Sequence, residues 1–143
     1  MTPTILDEVK PLVTVYGSGK ININTAPEPV LLALGMNASL VNTLVQYRQG
    51  NDGKTGTADD NTFATPDEIV SKLNAFQQLS VEDNTQLQNM VAGGIFTVKS
   101  SWFTIHLDIT PKNRKYVSRY EVVLMPDNTN NSKKWKIIHW THL

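Results

Sequence analysis

Near Ile95 the spacing of apolar residues changes from about 3.6 to about 2, and no other feature constrains the fold as much. Before it, apolar residues recur at helical intervals: Val30, Leu31 and Leu34; Leu40, Val41, Leu44 and Val45; Ile69, Val70 and Leu73; Leu87, Met90 and Val91. After it they alternate. Phe103, Ile105, Leu107 and Ile109 face one way, and Trp102, Thr104, His106 and Asp108 the other. Helices first and strands last predict an α+β chain whose two kinds of element form separate units.

The helical half carries its own punctuation. Ile21 and Ile23 alternate with Asn22 and Asn24, as in a short strand with one buried face. Thr25 stands where a helix N-cap belongs, with Glu28 three residues on and Pro27 in the first turn, the pattern of a capping box. Gly35 can close that helix. Leu12–Tyr16 reads as a strand and Gly17-Ser18-Gly19 as a turn, giving a hairpin with Lys20–Ile23. Asn37 or Ser39 starts a second helix that Gly50 stops. Thr65-Pro66-Asp67-Glu68 opens a third, and Ser80 with Asp83 as reciprocal cap opens a fourth. Each helix is too short to persist alone in water, so they must pack into one small bundle. The expected organisation is a flexible lead-in over 1–11, a helical domain with a short hairpin over 12–92, and a sheet over 93–143.

The last part reads as an antiparallel meander of Trp102–Ile109, Tyr116–Met125 and Lys134–Thr141. Turns are expected over 111–114 and 126–131. Tyr120, Val122 and Leu124 share one side of the middle strand. In the last strand Trp135 and Ile137 stand opposite Ile138 and Trp140. A sheet with one apolar face needs a cover, and the helices have spent their own narrow faces on each other. The expected cover is a long helix missing from this stretch, or a partner; a homodimer is one form the latter can take.

Composition narrows the chemistry. The 143 residues include no cysteine, which removes disulfides, thiolate catalysis and cysteine-ligated metals. No apolar run approaches the roughly 18 residues that cross a bilayer, and there is no signal peptide. Net charge is zero, yet residues 1–92 hold ten acids against five bases and residues 93–143 three against eight. An acidic helical unit and a basic sheet unit can attract each other or different neighbours.

Asn51–Thr62 is the candidate ion site. Asp52, Asp59 and Asp60, with Asn51 and Asn61, are hard oxygen ligands of the kind calcium gathers, although the spacing is not that of an EF-hand. Gly17-Ser18-Gly19-Lys20 lacks the rest of a phosphate loop and reads as a turn. His106, His139 and His142 have no acid spaced to complete a zinc site, and no serine stands in a nucleophile elbow, so no catalytic residue is assigned. Lys112, Arg114, Lys115, Arg119, Lys133, Lys134 and Lys136 lie among Trp135 and Trp140. That mixture occurs in nucleic-acid binders, but it also suits a solvated sheet face with guarded edges.

Tyr16-Gly17-Ser18-Gly19-Lys20 followed by Ile21-Asn22-Ile23-Asn24-Thr25-Ala26-Pro27 and an aliphatic helix resembles the minor pseudopilins of the type II (general) secretion pathway known as protein K. Phe96-Thr97-Val98-Lys99-Ser100 before an alternating strand resembles them too, and the likeness runs from about Val13 to the end. It implies a helical insertion with sterile-alpha-motif-like parts over 12–92 and a returning pilin-like sheet over 95–142. The family's N-terminal membrane helix, leader peptide and first part of the insertion are not in this stretch. The resemblance further implies a non-catalytic subunit at the tip of a periplasmic pseudopilus, anchored in the inner membrane through that helix and bound to pseudopilins I and J. It also implies calcium in the inserted domain, without fixing the ligands. Helix-hairpin-helix DNA-binding modules share the Ile-Asn-x-Asn-x-Ala segment and a Tyr-Arg pair, here Tyr47-Arg48. They place a glycine-rich hairpin where this chain has Leu34-Gly35-Met36-Asn37-Ala38-Ser39, and the helical half has the wrong charge for phosphate. No nucleic-acid partner is therefore expected.

Overall fold

The computed structural model describes residues 3–112, 117–127 and 134–143. The chain is α+β and divides into two compact units, Met1–Lys99 and Ser100–Leu143. The sequence places the boundary near Gly93; the structure carries the first unit through Lys99. The reason is a long-range pairing that no local pattern announces. Strand β1 (Ile21–Asn22) runs parallel to β2 (Phe96–Thr97), in the register Ile21 to Phe96 and Asn22 to Thr97. Ile21 N–H donates to the Ile95 carbonyl at 2.9 Å, and Ile23 N–H to the Thr97 carbonyl at 2.9 Å. This pairing buries Ile23 and Phe96 almost completely.

The expected hairpin is thereby replaced. Leu12–Tyr16 is not a strand, and Val13 and Val15 are exposed. Gly17 and Gly19 take positive φ and turn the chain toward β1 without folding it back on itself. Residues ahead of this segment, expected as a lead-in, form α1 (Pro3–Val9) and a 3-10 turn over Lys10–Leu12.

Four further helices follow: α2 (Glu28–Ala33), α3 (Ala38–Arg48), α4 (Ile69–Phe76, after a 3-10 turn over Pro66–Glu68) and α5 (Val81–Ala92). Their faces close one core of Leu31, Leu40, Val41, Leu44, Ile69, Leu73 and Leu87, joined by Ile23, Phe63 and Phe96. Each such side chain withdrawn from water contributes about 1.5–3 kcal/mol. Tyr47 stacks on Phe63 at 4.8 Å between ring centres, and Phe76 meets Tyr47 edge-on at 5.6 Å.

The capping chemistry is used differently from its spelling. Thr25 does not cap α2. Its N–H and that of Ala26 both donate to the Asn22 carbonyl, so Thr25 is spent in a turn and Pro27 takes the cap position. Thr65 makes no side-chain cap either, but Glu68 reaches back to the Ala64 N–H. Ser80 does cap α5, accepting from Asp83 N–H at 3.0 Å. Asp83 does not reciprocate: its carboxylate is committed to α3.

The second unit is a three-stranded antiparallel sheet, β3 (Phe103–Ile109), β4 (Ser118–Asp127) and β5 (Lys134–His142), with β4 in the centre. This is the expected meander. Within the expected turns, residues 113–114 and 128–131 lie outside the described residues, as do Lys115, Tyr116 and Lys133. Pro126 and Asp127 belong to β4, not to a loop.

Candidate functional site

Two features are candidates, one in each unit. The first is the acidic loop between α3 and the Pro66 turn. Its ends are fixed by backbone chemistry. Asn61 N–H donates to the Arg48 carbonyl and Asn61 Nδ2 to the Tyr47 carbonyl. Beyond it, Asn24 clamps Phe63 from both sides: Nδ2 donates to the Phe63 carbonyl at 2.9 Å while Oδ1 accepts from Phe63 N–H at 2.9 Å. The same Nδ2 donates to the Val98 carbonyl at 3.0 Å. Asn24 is thus a structural clasp of the β1–α2 join.

Inside the loop, Asp59 Oδ2 accepts from the N–H groups of Asn51 and Asp52, at 2.7 and 3.1 Å. Asp60 Oδ2 accepts from Gly56 N–H at 2.6 Å. Asp52 Oδ1 accepts from Lys54 N–H at 2.8 Å. All three carboxylates converge on one hydroxyl. Thr57 Oγ1 lies 2.8 Å from Asp59 Oδ1, 3.1 Å from Asp60 Oδ1 and 3.3 Å from Asp52 Oδ1. A threonine hydroxyl has one proton to give, so the loop gathers more acceptor oxygens here than it has donors. The Thr57 hydroxyl, helped by the two backbone N–H groups, holds the Asp59 carboxyl below the usual carboxylate range.

The sequence names Asp52, Asp59 and Asp60, and the structure brings them together around a residue it did not name. Nothing in the spacing distinguishes Thr57 from its neighbours. Among the described residues, however, no group of three or more acidic or histidine side chains is disposed to hold a metal ion. The donor set has the hard-oxygen chemistry of a calcium site, and its carboxylates would have to turn from Thr57 to enclose an ion. Gly50 is obligatory in this arrangement. Its φ is +63°, and a Cβ there would collide with the Asp59 backbone.

The second feature is one face of the sheet. Phe103, Ile105, Leu107 and Ile109 of β3 pair with Leu124, Val122, Tyr120 and Ser118 of β4. On β5 the same β4 residues meet Ile137, Trp140 and His142, and Pro126 meets Trp135. A bulge between Val123 and Leu124 in this pairing shifts the register. It corrects the expectation that Trp140 and Trp135 lie on opposite sides: both belong to the apolar face. Ring contacts agree, with Phe103 5.3 Å from Trp135 and Tyr120 5.5 Å from Trp140. Phe103, Ile105, Ile109, Trp135, Ile137 and Trp140 are each 39% to 57% exposed. The other face is mainly polar, with Thr104, His106, Asp108, Arg119, Glu121, Lys134, Lys136, His139 and Thr141 around the buried Val123 and the half-buried Met125. Asp108 and Arg119 form an exposed pair at 3.6 Å, too solvated to add much stability. The three histidines are divided between the faces, since His142 lies against Tyr120 on the apolar one. Among the basic residues Lys112, Arg119, Lys134 and Lys136 are described; Arg114, Lys115 and Lys133 are not.

The hairpin between α2 and α3, where a DNA phosphate would be bound in a helix-hairpin-helix module, is filled from within. Gln86 Oε1 accepts from Asn37 N–H at 2.9 Å, and Gln86 Nε2 donates to the Gly35 carbonyl at 2.8 Å. Asp83 accepts from Asn37 Nδ2 at 2.8 Å and from Ser39 Oγ at 2.9 Å. These bonds, that from Asn37 foremost, hold the buried Asp83 carboxyl below its ordinary range against the cost of desolvation. A phosphate arriving here would meet a carboxylate. Arg48 is committed as well, donating to the carbonyls of Ile23 and Ala26 at 3.2 and 2.7 Å. The sequence does not name the parts that Gln86 and Arg48 play.

No family model matches the chain, and neither a curated protein nor a solved structure does.

Proposed function

We propose that the chain is the helical head and part of the stem of a non-enzymatic minor pseudopilin of type II secretion, similar to protein K. The observation that carries this reading is the continuous apolar sheet face with six large side chains open to solvent. Exposed patches of this kind mark interaction surfaces. In a pilin-like scaffold a long apolar helix packs along the sheet, and neighbouring subunits, pseudopilins I and J, bind beside it. The acidic helical unit is the bulky head whose presence on the stem stops further subunits from adding, so that the protein caps the filament. The opposite charges of the two units let head and stem choose different neighbours. The working location is the periplasm, with the anchor in the inner membrane; among the described residues no helix is long and apolar enough to cross a membrane.

Calcium is proposed for the acidic loop, with Asp52, Asp59 and Asp60 as the ligands. Its charge would answer the crowding of oxygens around Thr57. Isothermal titration tests this: the intact chain gives a binding heat that Asp59→Ala loses, and no heat from the intact chain contradicts it. The alternative, a DNA-binding module, draws no support from a hairpin already plugged by Asp83 and Gln86. For the assembly reading, the test is co-purification with pseudopilins I and J. Trp140→Glu, a charge on the apolar face, should weaken it, while the exposed opposite-face change Lys136→Glu should not.

A further inference from the structure

The Asp52-Gly53 step has a backbone N–H, that of Gly53, that the loop's hydrogen bonding leaves unused. It is the one Asp-Gly pair in the sequence, and the sequence has no Asn-Gly pair. Both residues are exposed. Gly53 takes φ +67°, and a Cβ built on it meets nothing within 4 Å, so no neighbouring group crowds its Cα. Among the described residues the Gly53 N–H has no hydrogen-bond partner. The Asp52 carboxyl is folded back along its own chain, because Oδ1 accepts from Lys54 N–H at 2.8 Å. Contact with Thr57 Oγ1 at 3.3 Å holds it there.

We propose that Asp52-Gly53 is a site of spontaneous isoaspartate formation in the folded protein. The Gly53 nitrogen attacks Asp52 Cγ and forms a C–N bond. One carboxyl oxygen leaves as water, taking the amide proton and one further proton, and a five-membered succinimide remains. Water then adds to either ring carbonyl. Addition at Cγ restores aspartate. Addition at the main-chain carbonyl breaks its bond to Gly53, and the backbone now runs through Cβ and Cγ. No oxidant or co-reactant is needed. The product has a backbone one atom longer, and its free carboxylate is the former main-chain carbonyl. The bonds to Lys54 N–H and Thr57 are then lost, so the loop loses one of the three carboxylates gathered on Thr57.

The other loop aspartates serve as internal controls. Asp59 and Asp60 are followed by Asp and Asn, whose side chains hinder the following nitrogen. The test is to age the whole chain at physiological temperature and neutral pH, confirm by circular dichroism that it stays folded, and map isoaspartate by peptide mass spectrometry. Labelling with a protein-isoaspartate methyltransferase and radioactive S-adenosylmethionine gives an independent readout. Isoaspartate at residue 52 should accumulate several-fold faster than at Asp59, Asp60 or any aspartate outside the loop. Asp52→Glu, which closes no five-membered ring, should abolish the signal. The proposal is overturned if residue 52 gains no more isoaspartate than Asp59. It is equally overturned if the signal persists undiminished in Asp52→Glu.

Discussion

Asn24 shows how one polar side chain can hold three segments. It bonds Phe63 twice and Val98 once, so its removal strands backbone groups of both. An unsatisfied buried group costs about 1–3 kcal/mol. Asn24→Ala should therefore lower stability by about 2–3 kcal/mol, read as a fall in Tm, while the calcium heat proposed for the acidic loop, if the parent gives one, stays unchanged. A normal Tm with altered calcium heat would make Asn24 part of the site. Asp83 makes a pH-dependent contribution. Its carboxyl is held below its ordinary range in the fold, so the unfolded chain binds the proton more readily and stability rises with pH. The contribution is fully present above the ordinary aspartate value of about 3.9 and is lost as pH falls through the lower folded value. Asp59, from an exposed position, and the half-buried Glu68 act in the same direction. Urea midpoints followed below about pH 4 should fall less steeply in Asp83→Asn than in the parent. Parallel slopes would contradict the role given to Asp83.

At the scale of elements, what the sequence discloses is what depends on neighbours in the chain. The four main helices and the three long strands are written in local apolar spacing, and the structure contains them within a few residues. The pairing of β1 with β2 is written nowhere locally, because α2 to α5 all lie between Ile21 and Phe96 in the chain. The same applies to Asp83: its spacing from Ser80 suggests a reciprocal cap, yet Asn37 and Ser39 on another helix claim it. The bulge between β4 and β5 is a further case. One displaced residue moves Trp140 onto the side of Trp135, and strict alternation cannot anticipate it. In the acidic loop the three aspartates are legible by type; their convergence on Thr57 is set by the glycine turns. Gly50→Ala tests that geometry. Positive φ and the encounter with Asp59 together should cost about 1–3 kcal/mol and weaken any calcium heat. A loop unchanged in stability and heat would show that Asp59 is not positioned through Gly50.

At the scale of the whole molecule, two units differ in what they leave exposed. Among the described residues, the first encloses a core of thirteen buried side chains. The second exposes the apolar face on which the functional proposal rests. Covering that face is the central claim, and co-purification with pseudopilins I and J tests it most directly. The account predicts that the folded protein captures both, and that Trp140→Glu weakens capture several-fold while Lys136→Glu leaves it intact. Failure of the folded parent protein to capture either one, or capture unaffected by Trp140→Glu, would contradict it.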